Sequence, residues 1–309
     1  MSHLLRALND LPALAYTVDS LRITLREIDH SKLLVDSLVE TLGRLRDSDA
    51  SRHDGIVGEF CGQFSSELDC IYRGRYEAHR KEFFYRYVFP TIPRCDHIVD
   101  LGCGRGWVSK WLHDMDVAKQ VTGIDPVDFG SDWAQVRASN GSGIEFSHVA
   151  IADQEAWFAA AGPISAVLCS WMFHHSTDAE LALSFRALSR DLRPGSHLIV
   201  LEDAMDLTAS PDENNAGLFE KWCALGLSQG RIYTEQQFNA QVILDFVAVR
   251  MLARYSAVDM DFNYKPVQKW AESIAQYGFV MKAKKYIGFP KFRDIAVPQT
   301  VMVFLKTDE

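Results

Sequence analysis

At 309 residues the chain is long enough for one large domain and a smaller one around a core of normal size, and its 48% hydrophobic and 24% charged residues are those expected of a soluble globular protein. A net charge of -9 disfavours bulk binding to nucleic acid or to an acidic membrane, because such binding works by displacing counterions from phosphates. No apolar run approaches a membrane-spanning length, Asp10 and Arg22 interrupt anything like a signal peptide, and the six scattered cysteines form neither a CxxC pair nor a zinc-ligand spacing, so reduced thiols in a cytoplasmic protein without a metal site are expected.

Residues 1–90 read as helices. Leu4, Leu5, Leu8 and Leu11 recur at helical spacing, as do Leu34, Leu38, Leu42 and Leu45, with charges between them. Stripes of this kind are packing surfaces, suited to a cap over a site or to a homodimer seam. The Ser-, Asp- and Gly-rich stretch Asp47 to Gly58 reads as a loop between helical units. Tyr72, Tyr76, His79 and Arg80 can share one face of a helix just before the first strand, with Arg73 and Arg75 beside them.

His97 to Leu101 is a short apolar strand, and helical spacing resumes at Trp107, so Gly102, Gly104 and Gly106 occupy a strand-to-helix turn. In a doubly wound sheet ligands bind at such turns. The dinucleotide fingerprint GxGxxG would need glycine at position 107, which is Trp107. A ligand without a pyrophosphate, needing only a close backbone, suits GxGxG better. Gln120 to Ile124 forms a second strand that ends at Asp125, where a carboxylate can accept both hydroxyl hydrogens of a ribose. Ile144 to Val149 is a third strand, followed by Ala152 and Asp153, and Asp is also a favoured helix cap.

Ser165 to Ser170 is the fourth strand, running into Trp171, Met172, Phe173, His174 and His175, with Asp178 three residues further on. Histidine is the usual proton acceptor near neutral pH, so one of the pair is the candidate general base; backbone hydrogen bonding at a strand end is the competing role. A helix from Asp178 to Arg190 and the turn Arg193 to Gly195 lead to the fifth strand, His197 to Leu201. Glu202, Asp203 and Asp206 follow it and read as capping or solvated acids rather than metal ligands. The aromatic-rich insert Ala204 to Tyr264 contains Trp222, Tyr233, Phe246 and Tyr264, most of them expected in the core of a helical lid and two or three in a ligand pocket. Phe279 to Ile287 and Gln299 to Leu305 are the last strands, and Lys282, Lys284 and Lys285 read as a solvated face of the first.

The run Val99 to Gly106, with Asp125, the His174-His175-x-x-Asp178 pattern and the closing strand pair, resembles the class I S-adenosylmethionine-dependent methyltransferases over about Ile98 to Lys306. The resemblance implies an α/β fold: a doubly wound, seven-stranded mixed sheet with its last strand antiparallel, a helical amino-terminal region (1–90), and a methyltransferase domain (91–309) with a lid insert (204–265). It implies S-adenosylmethionine as cofactor. Asp100, Gly102, Cys103, Gly104 and Gly106 would anchor its methionine end, Asp125 its ribose, Pro126 and Ala152 the adenine faces, and Asp153 the adenine amino group. Ser170 would border the same crevice, and Arg75 or Arg80 would bind the carboxylate from the closing helix. Trp171, Trp222, Tyr233, Phe246 and Tyr264 would line the acceptor pocket, with His174 or His175 as base. The implied acceptor is a small organic molecule methylated at O, N or C; the alternatives are an RNA or protein methyltransferase, or a non-catalytic subunit that binds the cofactor.

Overall fold

The computed structural model describes residues 2–27, 32–70, 77–140, 143–206, 208–210, 213–214, 216–226, 233–255, 260–290 and 297–308. In chain order the helices are α1 (Ser2–Leu8), α2 (Leu11–Glu27), α3 (Lys32–Arg46), α4 (His53–Gln63), α5 (Ser65–Cys70), α6 (Glu77–Phe83), α7 (Trp107–Asp114), α8 (Gly130–Asn140), α9 (Gln154–Ala160), α10 (Asp178–Asp191), α11 (Ala216–Ala224), α12 (Glu235–Phe246) and α13 (Val267–Ala275). The strands are β1 (Cys95–Leu101), β2 (Ala118–Asp125), β3 (Ile144–His148), β4 (Ala166–Ser170), β5 (His197–Glu202), β6 (Glu213–Asn214), β7 (Phe279–Phe289) and β8 (Gln299–Lys306). They belong to two compact units, one of residues 1–82, 210–258 and 287–298, the other of residues 83–209, 259–286 and 299–309.

The second unit holds the expected doubly wound sheet, in the order β3-β2-β1-β4-β5-β8-β7. β1 pairs in parallel with both β2 and β4, so strand order reverses about β1 and a crevice opens at the carboxyl ends of β1 and β4. β8 lies antiparallel to β5, with Val200 opposite Met302. The strands read as continuous apolar runs because both faces are covered. One face packs into a cluster that includes Val99, Leu101, Val167, Phe158, Phe173, Phe185, Trp270 and Phe304. α10 is started by a capping box, in which Thr177 Oγ1 accepts from the Glu180 amide and the Glu180 carboxylate accepts from the Thr177 amide.

The first unit is helical. Leu34, Leu38, Leu42 and Leu45 are all fully buried along α3, as their spacing requires, whereas Leu11, at the start of α2, is 65% exposed. The polar stretch expected as a loop is partly helix: α4 begins at His53, because His53, Ile56 and Phe60 present one buried face at helical steps despite Gly55 and Gly58. The His53 Nε2 also contacts the Leu45 carbonyl at 3.0 Å. Asn239 on α12 donates to Asp10 just before α2 at 2.8 Å. The two-residue β6 pairs in parallel with the end of β7, Glu213 opposite Gly288 and Asn214 opposite Phe289. It is an eighth strand that the sequence did not announce.

Candidate cofactor and catalytic site

The glycine turn is held to the sheet by its own backbone. Gly102 and Cys103 donate to the Ile124 carbonyl at 2.8 and 3.1 Å, which seats the turn on the end of β2. Gly102 has φ 75°, and a Cβ there would lie 2.7 Å from Met172 Cγ, so only glycine lets the turn pass the chain leaving β4. Gly106, at φ 83°, starts α7, and a Cβ there would meet the Phe146 ring at 2.6 Å. The third glycine therefore makes room for an aromatic side chain from β3. Over Gly104 a Cβ would meet no atom within 4 Å, so the turn keeps open space on that side, as a ligand cradle needs.

Two acids face this turn. Asp100 is buried, and Ser109 Oγ on α7 donates to its Oδ2 at 2.6 Å. Burial pushes its carboxyl up to about 7, with the neighbouring Asp125 charge adding to the effect and the Ser109 bond opposing it. Asp125 accepts from the Gly104 amide through Oδ2 and from the Val127 amide through Oδ1, both at 2.8 Å. Burial raises its pKa too, and those two amides counter the rise. Val149 N–H donates to the Asp125 carbonyl at 2.9 Å, which sets the chain after β3 beside Asp125. Pro126 follows, and its carbonyl lies 2.9 Å from His148 Nε2. Ala152 and Asp153 are exposed on a short turn before α9, and although Asp153 occupies the cap position its side chain makes no cap bond. Ser170 ends β4. Cys103 is buried in the turn, and burial holds its thiol well above the usual range.

Beyond β4 the chain makes a strained corner. Trp171 has φ 52°, a backbone conformation costly for a bulky residue, and it is held there by several contacts. Its amide donates to the Leu201 carbonyl at 2.8 Å, its ring packs against Phe83 and Phe84 at 5.7 and 5.4 Å, and its indole N–H donates to Gln299 Oε1 at 2.6 Å. Gln299 Nε2 in turn donates to buried Asp203 at 2.5 Å.

His174 follows on a single helical turn. Its Nδ1 lies 2.5 Å from Glu202 Oε2, and Glu202 Oε1 accepts from the Phe173 amide at 2.9 Å. Both side chains are at most 2% exposed. A carboxylate on Nδ1 keeps the proton on that nitrogen and leaves Nε2 as the acceptor. The segment before α13 covers the same turn: Asn263 N–H donates to the His174 carbonyl at 2.7 Å, and the Tyr264 ring stacks on the imidazole at 5.2 Å. Asn263 also donates to the Ser176 carbonyl and to Asp178, which Lys265 pairs with at 3.0 Å. His175 lies against His174, ring centres 4.2 Å apart.

Of the two roles expected for the acids after β5, solvation does not hold, whereas Glu202 and Asp206 do accept from the backbone amides of Phe173 and Thr208. Glu202, Asp203 and Asp206 are all buried, and Asp206 pairs with Lys284 of β7 at 2.5 Å. Lys284 therefore leaves the free lysine face on which the sequence placed it. The remaining predicted residues lie in the helical unit or outside the described residues. Trp222 is fully buried, with the rings of Tyr16, Tyr233 and Phe289 around it at 5.4 to 6.2 Å, and Phe246 is buried at the end of α12. Arg80 is on α6, and Arg75 lies outside the described residues.

Residues 98–195 match the family model described as "Methyltransferase domain". Among solved structures, the chain resembles the 1,6-didemethyltoxoflavin-N1-methyltransferase of Burkholderia thailandensis, at 15% identity over 82% of this chain and 88% of that one, with a TM-score of 0.47. It also resembles the N-methyltransferase NodS of Bradyrhizobium japonicum WM9, at 11% identity, 76% and 99% coverage and a TM-score of 0.44, and the mitomycin 7-O-methyltransferase MmcR, at 13% identity, 89% and 67% coverage and a TM-score of 0.46. At such values these likenesses bear on neither substrate nor mechanism. A comparison with curated proteins found no match. The domain match falls on β1, the glycine turn, Asp125 and the His174 corner, so this third of the chain is similar to a methyltransferase domain.

Proposed function

We propose that this chain is an S-adenosylmethionine-dependent methyltransferase that acts on a small organic acceptor, at a hydroxyl oxygen or an acidic carbon, with His174 as general base. The observation that carries the reading is the buried contact of His174 Nδ1 with Glu202. An acceptor that already carries a lone pair at neutral pH can be methylated by proximity and orientation alone. A histidine oriented by a fully buried carboxylate is the arrangement for an acceptor that must lose a proton.

S-adenosylmethionine supplies an electrophilic methyl group on a sulfonium. In our reading the glycine turn and Asp100 receive its amino-acid end, and Asp125 accepts from the ribose hydroxyls. Pro126, Ala152 and Asp153 border the adenine, and Ser170 borders the crevice. Trp171 is a fixed wall for the acceptor, and Tyr264 holds the plane of His174. As the acceptor oxygen or carbon bonded to the methyl carbon and the methyl–sulfur bond broke to release S-adenosylhomocysteine, the acceptor's proton would pass to His174 Nε2, and Glu202 would stabilise the resulting imidazolium. His175 supports that ring rather than taking the proton.

The test is transfer of a trideuteromethyl group from labelled S-adenosylmethionine into an extract of the source organism, separated by mass. Label in a compound under about 1 kDa, lowered at least about 100-fold by His174→Ala, supports the reading. Label only in RNA or protein, or none in any fraction while the cofactor binds, contradicts it.

A further inference from the structure

The glycine turn is braced from a side the sequence gives no hint of. Trp133, in the first turn of α8, donates its indole N–H to the Gly104 carbonyl at 2.8 Å. Its ring lies flat on Phe146, with ring centres 5.5 Å apart and planes 4° apart. Phe146 is the side chain that fills the space left by Gly106, and it fills that left by Gly123 as well. On its amide side Gly104 donates to Asp125. The two peptide units that meet at Gly104 are thus pinned through opposite groups, one by an acid on β2 and the other by an indole on α8.

We infer that Trp133 is a positioning residue for cofactor binding, fixing the Gly104 peptide in the orientation that the ligand meets. Glycine has the widest backbone freedom of any residue, and an untethered glycine turn must be ordered when the ligand arrives. A tether present beforehand removes that cost and strengthens binding without touching the ligand. The stack on Phe146 is what keeps the indole N–H aimed. Loss of one such bond, at ~1 kcal/mol, corresponds to about three- to tenfold weaker binding. The inference rests on the proposed seat of the cofactor on the glycine turn.

The test is calorimetric titration of the full chain with S-adenosylhomocysteine, using wild type, Trp133→Phe, Asp125→Ala and Phe158→Leu. Trp133→Phe keeps a ring on Phe146 but loses the donor, and should bind about three- to tenfold more weakly, with faster amide exchange at residues 104–106. Phe158→Leu removes core volume beneath the other face of the sheet and should lose stability without losing affinity. Should Trp133→Phe not fold, Phe146→Leu replaces it, and the same weakening is expected. Wild-type affinity in the tested variant, or an equal loss of affinity in Phe158→Leu, overturns the inference. If Asp125→Ala also binds as wild type, the seat of the cofactor is itself wrong; if only Asp125→Ala is impaired, Trp133 alone is misassigned.

Discussion

The Glu202 carboxylate lies 2.5 Å from Nδ1 of His174, with both side chains sealed from solvent. Its second oxygen accepts from the Phe173 amide, which ties the turn after β4 to the end of β5. The pair joins the carboxyl ends of two neighbouring parallel strands, β4 and β5, which pair residue for residue from Ala166 opposite His197 to Ser170 opposite Leu201.

Glu202→Gln preserves the size of that side chain and an acceptor for the Phe173 amide, but removes the charge that stabilises an imidazolium. Methyl transfer should fall by about 10-fold or more, with affinity for S-adenosylhomocysteine unchanged. Rate measurement at saturating cofactor, paired with calorimetry, checks both halves. An unchanged rate would mean that the carboxylate only ties the turn together.

Asp125→Ala should weaken S-adenosylhomocysteine binding by at least about 10-fold, since a carboxylate facing two hydroxyls contributes charge-assisted bonds. The far-ultraviolet circular dichroism should match wild type. Binding within twofold of wild type would remove Asp125 from the site.

Asp100 makes the stability of the fold depend on pH. Its folded pKa of about 7 stands above the ordinary carboxyl value, so the folded state holds this proton more tightly than the unfolded chain. The group's stabilising contribution is full below about pH 4 and is lost as pH rises towards 7, at ~1.4 kcal/mol per pH unit. Asp100→Asn, which cannot ionise, should therefore gain stability relative to wild type between pH 4 and 7, read by urea unfolding at each pH. A difference that stays flat over that range would show that Asp100 does not hold its proton in the fold.

Thr177→Ala breaks the capping box that starts α10, immediately after the histidine turn. It should cost about 1 kcal/mol in unfolding free energy. A loss under about 0.3 kcal/mol would mean that the box is an exposed, replaceable contact.

Much of the sheet was legible in the sequence, because buried parallel strands write themselves as unbroken apolar runs and the turn between β1 and α7 is spelled in glycines. That Asp125 ends β2 was legible for the same reason, as an acid terminating such a run. Glu202 ends β5 in the same way, yet the acids beside it made the three look like capping or solvated groups. What hid it was its partner, His174, which lies 28 residues earlier and meets it only through strand pairing. Trp133 was hidden more deeply, since its partner Gly104 lies 29 residues away and neither the helix pattern of α8 nor the glycine motif predicts the contact. The helix at His53 was missed because local Ser, Asp and Gly favour a loop, and burial of His53, Ile56 and Phe60 overrides them.

Whether His174 takes the acceptor's proton is read from single-turnover methyl transfer into the labelled acceptor from pH 5 to 9, comparing wild type with His174→Ala at saturating S-adenosylmethionine. With His174 as base, the wild-type rate rises with pH to a plateau, and the His174→Ala rate is lower by at least about 100-fold and has lost this dependence, with cofactor affinity intact. A His174→Ala enzyme that transfers methyl within tenfold of wild type, with the same pH profile, would contradict that role.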